Sequence, residues 1–304
     1  MARVAFLGTP QAAVPTLEAL ASDHEIAVVV TQPDRPVGRS KKPQPPPVKS
    51  AAMNLGLAVA QPGARGEIEE ALGAAEPLDL AVVVAYGRIV SQQALAIPAH
   101  GMLNVHFSLL PRWRGAAPVA RAIMADDPTT GVTIMRLDAG LDTGPILTAQ
   151  AVDIEEDENA GELTERLATL GARLLSSALD DYLAGELRPV PQSDEGATYA
   201  DKILAADRPI SVSATVGEAL ARIRGLAPNP AATLDIDGEP HKVLAARRSE
   251  EAPPPGTWQI RGGRPVVGLA DGGIEIVTIQ PPGKTPREGT AWANGLHRAS
   301  GTVG

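Results

Sequence analysis

Arg3-Val4-Ala5-Phe6-Leu7-Gly8, closed by Thr9-Pro10, opens the chain, and its pattern sets the fold. The apolar side chains run without alternation and stop at a turn, which predicts a strand covered on both faces. A helix over 11–21 and a second β-branched run from Glu25 to Thr31 follow. Strand, helix and strand in that order make a βαβ unit, so a parallel sheet with right-handed crossovers is expected. Gly8-Thr9-Pro10 lacks the Gly-x-Gly-x-x-Gly spacing, so a dinucleotide pyrophosphate has no cradle here. No P-loop sequence occurs either. A nicotinamide-dependent dehydrogenase is therefore set aside.

Farther along, Leu78 to Ala85 is another strand of the buried kind, ending in Tyr86-Gly87-Arg88-Ile89-Val90. The run Gly101-Met102-Leu103-Asn104-Val105-His106 begins apolar and breaks into a loop holding Ser108, Pro111, Arg112, Trp113 and Arg114. Alternate side chains on a strand share a face, so Asn104 and His106 point the same way. An amide and an imidazole side by side suit donation to an oxygen that gains charge as its carbon becomes tetrahedral. Asp142 stands in a glycine-bracketed loop, Leu137 to Pro145, after the apolar run Gly131 to Leu137. A carboxylate near His106 would orient the ring for acid–base work. Thr133, on that same run, is expected to be a plain β-branched strand residue. Ser108 lacks the Gly-x-Ser-x-Gly elbow of a hydrolase nucleophile. Ligands of open α/β sheets bind beyond the carboxyl ends of the strands, so the 86–90 turn and the 104–111 loop should flank one pocket.

The 304 residues suffice for two ordinary domains, and 44% of them are apolar. Absence of cysteine rules out disulfides, thiolate metal sites and thiol nucleophiles. No signal peptide and no membrane-length apolar run is present, so a cytoplasmic protein is expected. The net charge of −9 argues against a general nucleic-acid coat. The imbalance is uneven: residues 1–206 hold 16 Lys/Arg against 26 Asp/Glu, and residues 207–304 hold 11 against 10. Any nucleic acid must therefore be met by local basic features. The stretch 32–49 is one such feature, with Arg35, Arg39, Lys41, Lys42 and Lys49 against Asp34 alone. Its prolines forbid a helix or a central strand, so a long loop is expected.

Leu163, Leu167, Leu170, Leu174, Leu175 and Leu179 recur at helical spacing and predict an amphipathic helix over 160–184. Residues 185–210 are polar and rich in Gly and Pro, which predicts a surface linker. After a helix at 215–225, short strands separated by Asp-Gly, Pro-Pro-Pro-Gly and Asp-Gly-Gly turns predict a small β-barrel. The division expected is 1–184, a linker at 185–210, and 211–304. The fold class expected is α/β: a Rossmann-like, mostly parallel sheet with helices on both faces, plus a smaller OB-like barrel.

Asn-x-His-x-Ser-Leu-Leu-Pro at 104–111, Arg-Trp-Arg-Gly-Ala-Ala-Pro at 112–118 and Leu-Asp-Thr-Gly at 141–144 resemble the 10-formyltetrahydrofolate-dependent formyltransferases. The likeness extends to Gly8-Thr9-Pro10, Thr31 to Pro36, Val84-Ala85-Tyr86-Gly87, Gly131 to Met135 and Gln280-Pro281-Pro282-Gly283-Lys284. It thus spans nearly the whole chain. The run Ser108 to Pro118 is similar to the branch whose acceptor is methionyl-tRNA. The resemblance implies Asn104, His106 and Asp142 as the catalytic set, with 10-formyltetrahydrofolate as formyl donor and no metal. Tyr86, Gly87, Arg88, Ile89, Val90, Ser108, Leu109, Leu110 and Pro111 would meet the folate. The 32–49 loop, through Arg35, Arg39, Lys41 and Lys42, would meet initiator methionyl-tRNA, with the barrel lying along it. A monomer is implied. Phe107 and Arg88 depart from the family pattern, which often has Gly and an apolar residue there. Three rivals stay open: a formyltransferase for an aminosugar nucleotide or another small amine, a folate hydrolase, and a non-catalytic RNA-binding protein.

Overall fold

The computed structural model describes residues 1–36, 42–296 and 298–304. The chain divides into two compact units. The first takes residues 1–118, 129–153 and 164–200, and the second takes 119–128, 154–163 and 201–304.

In chain order the first elements are β1 (Arg3–Gly8), α1 (Val14–Asp23), β2 (Glu25–Val30), β3 (Arg35–Pro36), β4 (Pro43–Gln44), α2 (Pro47–Asn54), β5 (Val59–Ala60) and α3 (Glu67–Gly73). Next come β6 (Leu80–Val84), α4 (Gln92–Leu95), β7 (Met102–His106), β8 (Arg114–Gly115), α5 (Pro118–Met124), β9 (Thr129–Arg136), β10 (Ile146–Asp153), α6 (Ala160–Leu183) and β11 (Tyr199–Ala200). Seven strands form the main sheet in the order β10-β9-β7-β6-β1-β2-β5. From β5 to β7 every pairing is parallel, as the βαβ opening predicts. β9 and β10 then join antiparallel at one edge.

Period-two alternation builds the core on both faces of this sheet. Ala5, Leu7, Val28, Val30, Ala81, Val83 and Met102 face Ile68 and Leu72 of α3 and Ala94 of α4. Val105, between the polar pair on β7, and Phe107, just after it, point the other way, toward α6. A Cβ placed on Gly171 would lie 2.6 Å from Val105 Cγ1 and 3.7 Å from Phe107 Cε1. Phe107 therefore packs behind the sheet and leaves the Asn104 side open. Residues 185–200 are not a loose tether. β11 pairs in parallel with β8, and Arg114 N–H donates to Thr198 O at 2.9 Å. Their polar, proline-rich composition forbids long elements but not docking by single hydrogen bonds.

The second unit centres on α7 (Val216–Leu226) and the strands β12 (Ala232–Ile236), β13 (Glu239–Ser249), β14 (Thr257–Arg261), β15 (Arg264–Leu269) and β16 (Gly272–Gln280). β17 (Arg287–Glu288), α8 (Gly289–Asn294) and β18 (Ser300–Thr302) complete it. Thr215 and Glu218 cap α7 reciprocally, each side chain taking the other's backbone N–H. The antiparallel order is β12-β13-β16-β15-β14-β18, and a bridge between Ile236 and Val303 brings the two edge strands together. Val216, Ile223 and Leu226 of α7 pack among Leu234, Val243, Val267, Ile276 and Ile279. Trp258 is wholly buried with its indole N–H on Asp237 Oδ2 at 2.9 Å. Among the described residues no helix is long and apolar enough to cross a membrane.

Candidate active site

β7 ends at the carboxyl edge of the parallel strands and carries Asn104 and His106, only 8% and 6% exposed. The loop between β9 and β10 brings Asp142 to both. Asn104 Nδ2 donates to Asp142 Oδ1 at 3.4 Å, and His106 Nδ1 stands 3.7 Å from Asp142 Oδ2. Asp142 Oδ2 also accepts the Gly115 backbone N–H at 2.8 Å. Three groups separated by up to 38 residues in sequence therefore meet on one face of the sheet.

The ring of His106 is held from both edges, by Asp142 on one side and a backbone carbonyl on the other. Its Nε2 lies 2.9 Å from the Trp113 carbonyl oxygen. A carbonyl only accepts, so Nε2 carries the hydrogen. Nδ1, facing Asp142, then donates only when the ring is the imidazolium. Trp113 has φ +64°, in the left-handed region that bulky residues rarely adopt. The turn that this imposes presents its carbonyl to the imidazole, and Arg112 lies over its indole at 4.5 Å. Asp142 is left-handed too, at φ +52°. Aspartate tolerates that region better than most residues.

Thr133 is more than a strand filler, against expectation. It is fully buried, and its hydroxyl donates to Ser108 O at 2.7 Å while accepting from Leu110 N–H at 3.1 Å. It thereby staples the loop that follows His106 to β9. Ser108, also fully buried, donates its hydroxyl to Arg112 O at 2.6 Å, so that side chain shapes the loop. Leu109 reaches toward Gly131, where a Cβ would come within 2.6 Å of Leu109 Cδ2. Leu110 is buried and Pro111 half-buried. Nothing in the sequence pattern pointed to the Trp113 carbonyl or the Gly115 amide, because both act through backbone.

The other flank is the turn after β6. Ala85 at φ +46° and Gly87 at φ +81° bend the chain sharply. Tyr86 is buried, and burial pushes its phenol above the ordinary value. Its carbonyl accepts from Thr9 Oγ1 at 2.9 Å and Gln32 Nε2 at 3.3 Å. A Cβ on Gly87 would meet no heavy atom within 4 Å, so the space above it is open to a flat ring. Ile89 is 93% exposed and Val90 half-buried, giving an apolar rim. Arg88 turns back, donating to Pro62 O at 2.7 Å and Ala64 O at 3.3 Å.

Of the basic residues singled out in 32–49, Arg39 and Lys41 lie outside the described residues. Arg35 and Lys42 are exposed, flanking the two-residue ladder of β3 and β4. Lys49 Nζ bonds Asp34 Oδ1 at 2.8 Å and Gln61 Oε1 at 2.8 Å, tying down the root of this stretch. The Lys49 ammonium and the Gln61 amide hold the Asp34 carboxyl below the ordinary carboxylate range. Among the described residues, no three His, Asp or Glu side chains converge as a metal ion would require.

Residues 2–179 match the family described as Formyl transferase, and residues 202–297 match Formyl transferase, C-terminal domain. A methionyl-tRNA formyltransferase from Halorhodospira halophila is 45% identical over 99% of this chain and 98% of its own. The enzyme of that name from Ruegeria pomeroyi is 44% identical over 99% of both chains. Among solved structures, the sugar 3N-formyl transferase WlaRD aligns with TM-score 0.68 at 17% identity, over 94% of this chain and 99% of that one. An N-formyltransferase from Helicobacter canadensis, solved with folinic acid and dTDP-3-aminofucose, gives 0.69 at 19%, over 92% and 99%. HypX from Aquifex aeolicus gives 0.69 at 16% identity, over 97% of this chain and 48% of that protein.

Proposed function

The chain belongs to the formyl transferase family, and from that premise we propose that it moves the formyl group of 10-formyltetrahydrofolate to the free amine of methionyl-initiator-tRNA. The observation that carries this is the meeting of Asn104, His106 and Asp142 at the end of β7. It occurs in a chain 45% and 44% identical, over 99% of its length, to two methionyl-tRNA formyltransferases.

The donor supplies an amide-like formyl carbon, whose oxygen gains negative charge when an amine attacks. Asn104 is the first group to meet that charge. An amide nitrogen has two hydrogens, so the bond to Asp142 leaves a second for the formyl oxygen. A donor of this kind contributes about 2.7–4 kcal/mol to lowering a barrier. His106 adds a second donor through Nδ1 when protonated, and Trp113 O holds the ring so that only this edge faces the site. Asp142 takes the proton that the attacking amine must lose and hands it, through water, to the departing nitrogen. The open space over Gly87 and the rim of Ile89 and Val90 suit the pterin of the donor.

In the same proposal the first unit does the chemistry while Arg35, Arg39, Lys41 and Lys42 meet the RNA acceptor, with the barrel beside it. Guanidinium and ammonium groups bind phosphate without reading sequence, so they would position the acceptor end. The enzyme acts as a cytoplasmic monomer. The test is formyl transfer from 10-formyltetrahydrofolate to initiator methionyl-tRNA, with elongator methionyl-tRNA and a dTDP-aminosugar alongside. Transfer to the initiator tRNA is expected. Transfer to the aminosugar alone, or hydrolysis of the donor with neither acceptor formylated, would overturn the assignment.

A further inference from the structure

Asp142 keeps a left-handed backbone at φ +52°, a conformation that persists in a non-glycine residue only when its surroundings hold it. Its carboxylate is held by Gly115 N–H, but the backbone is held by a residue fifty positions later. Gln192 Nε2 donates to Asp142 O at 2.9 Å and to Gly144 O at 2.6 Å. The two hydrogens of one amide thus clamp the carbonyls on either side of Thr143. Gln192 Oε1 in turn accepts from Arg114 Nε at 3.2 Å and Nη2 at 3.0 Å. A guanidinium has no acceptor, so this contact fixes which end of the amide is oxygen and which is nitrogen. Arg114 itself is 3% exposed and is further anchored on Asp194 Oδ1 at 3.1 Å. Arg114 and Gly115 are neighbours in β8, so the same two-residue strand secures the carboxylate directly and the backbone through Gln192.

We propose that Gln192, braced by Arg114, is a positioning residue that holds Asp142 in its working geometry. The inference rests on the proposed role of Asp142 in formyl transfer. Among the described residues, Gln192 hydrogen-bonds to neither Asn104 nor His106; it acts through the loop. Its place in a Pro/polar segment hides this role from sequence patterns.

The test is Gln192→Glu, which keeps the shape and the two bonds from Arg114 but replaces the donor with a carboxylate facing two carbonyls. With Arg114 still paired, the 187–198 segment stays docked. The expected result is a fall in kcat of about 10²-fold, the scale set by small misplacements of a reacting group. KM for donor and for tRNA should stay within twofold, because neither binding surface is touched. Amide hydrogen exchange in 138–145 should quicken while the rest of the chain is unchanged. Gln192→Met, close in size and uncharged, gives the same two readouts should the glutamate variant not fold. A kcat within twofold of the parent, or unchanged exchange in 138–145, would overturn the proposal. If the parent itself transfers no formyl group, the functional reading fails, while the exchange readout still decides whether Gln192 holds the loop.

Discussion

Thr133→Val removes one oxygen atom and leaves the shape of the side chain almost unaltered. In the parent that oxygen bridges Ser108 O and Leu110 N–H, at 2.7 and 3.1 Å, in a fully buried position. After the change both backbone groups stay buried without a partner. Each such orphan costs about 1–3 kcal/mol, and the better burial of a methyl offsets part of it. The net loss is about 2–4 kcal/mol, and the melting temperature should fall by about 2–4 °C for each kcal/mol. Activity should fall as well, because the loop from Ser108 to Trp113 supplies the carbonyl that orients His106. Thr133→Ser is the control: it keeps the hydroxyl and loses a methyl, at a cost of about 1 kcal/mol. The assay is thermal melting by circular dichroism with formyl transfer measured on the same samples. A valine variant as stable and as active as the parent would refute the staple, as would a serine variant equally damaged.

The stretch proposed to meet RNA and the acid limb of stability are tested separately. Arg35→Ala with Lys42→Ala should raise KM for methionyl-tRNA, leave KM for the folate unchanged, and lower the slope of log affinity against log salt by about 1 per lost phosphate contact. An unchanged salt slope would remove both residues from the interface. Asp207 is held below the ordinary carboxylate range by the Leu204 N–H and then by the Arg121 guanidinium. Its stabilisation is present above the unfolded carboxylate value, about pH 3.9, and is lost as pH falls through the lower folded value. Asp207→Asn should therefore melt below the parent at about pH 6, and the gap should narrow as pH falls below about 3.9, by the same linkage. A gap constant across that range would contradict the ion-pair account.

What could be read from sequence was whatever repeats or alternates. The βαβ opening, the shared face of Asn104 and His106, and the leucine stripe of α6 all follow from side-chain periods of two and 3.6. The glycine-bracketed loop at 137–145 pointed to Asp142, and the resemblance carried by 104–118 and 141–144 gave it a catalytic role. What escaped notice acts through backbone or across long separations. The Trp113 carbonyl and Gly115 amide have no side-chain signature. Thr133 looks like any β-branched strand residue until its hydroxyl is seen between two loop groups. The Arg88 guanidinium ties its turn to Pro62 and Ala64, a long-range contact with no pattern in the sequence. The segment 185–200 read as a linker because proline and polar residues exclude regular elements, yet its single hydrogen bonds dock it firmly.

In the proposed reaction Asn104 carries the charge that develops on the formyl oxygen. Its most direct test is the single-turnover rate of formyl transfer from 10-formyltetrahydrofolate to initiator methionyl-tRNA by Asn104→Ala. Loss of one such donor predicts a rate lower by about 10²–10³-fold with donor affinity unchanged. A rate within a few fold of the parent, with the fold intact, would contradict the account.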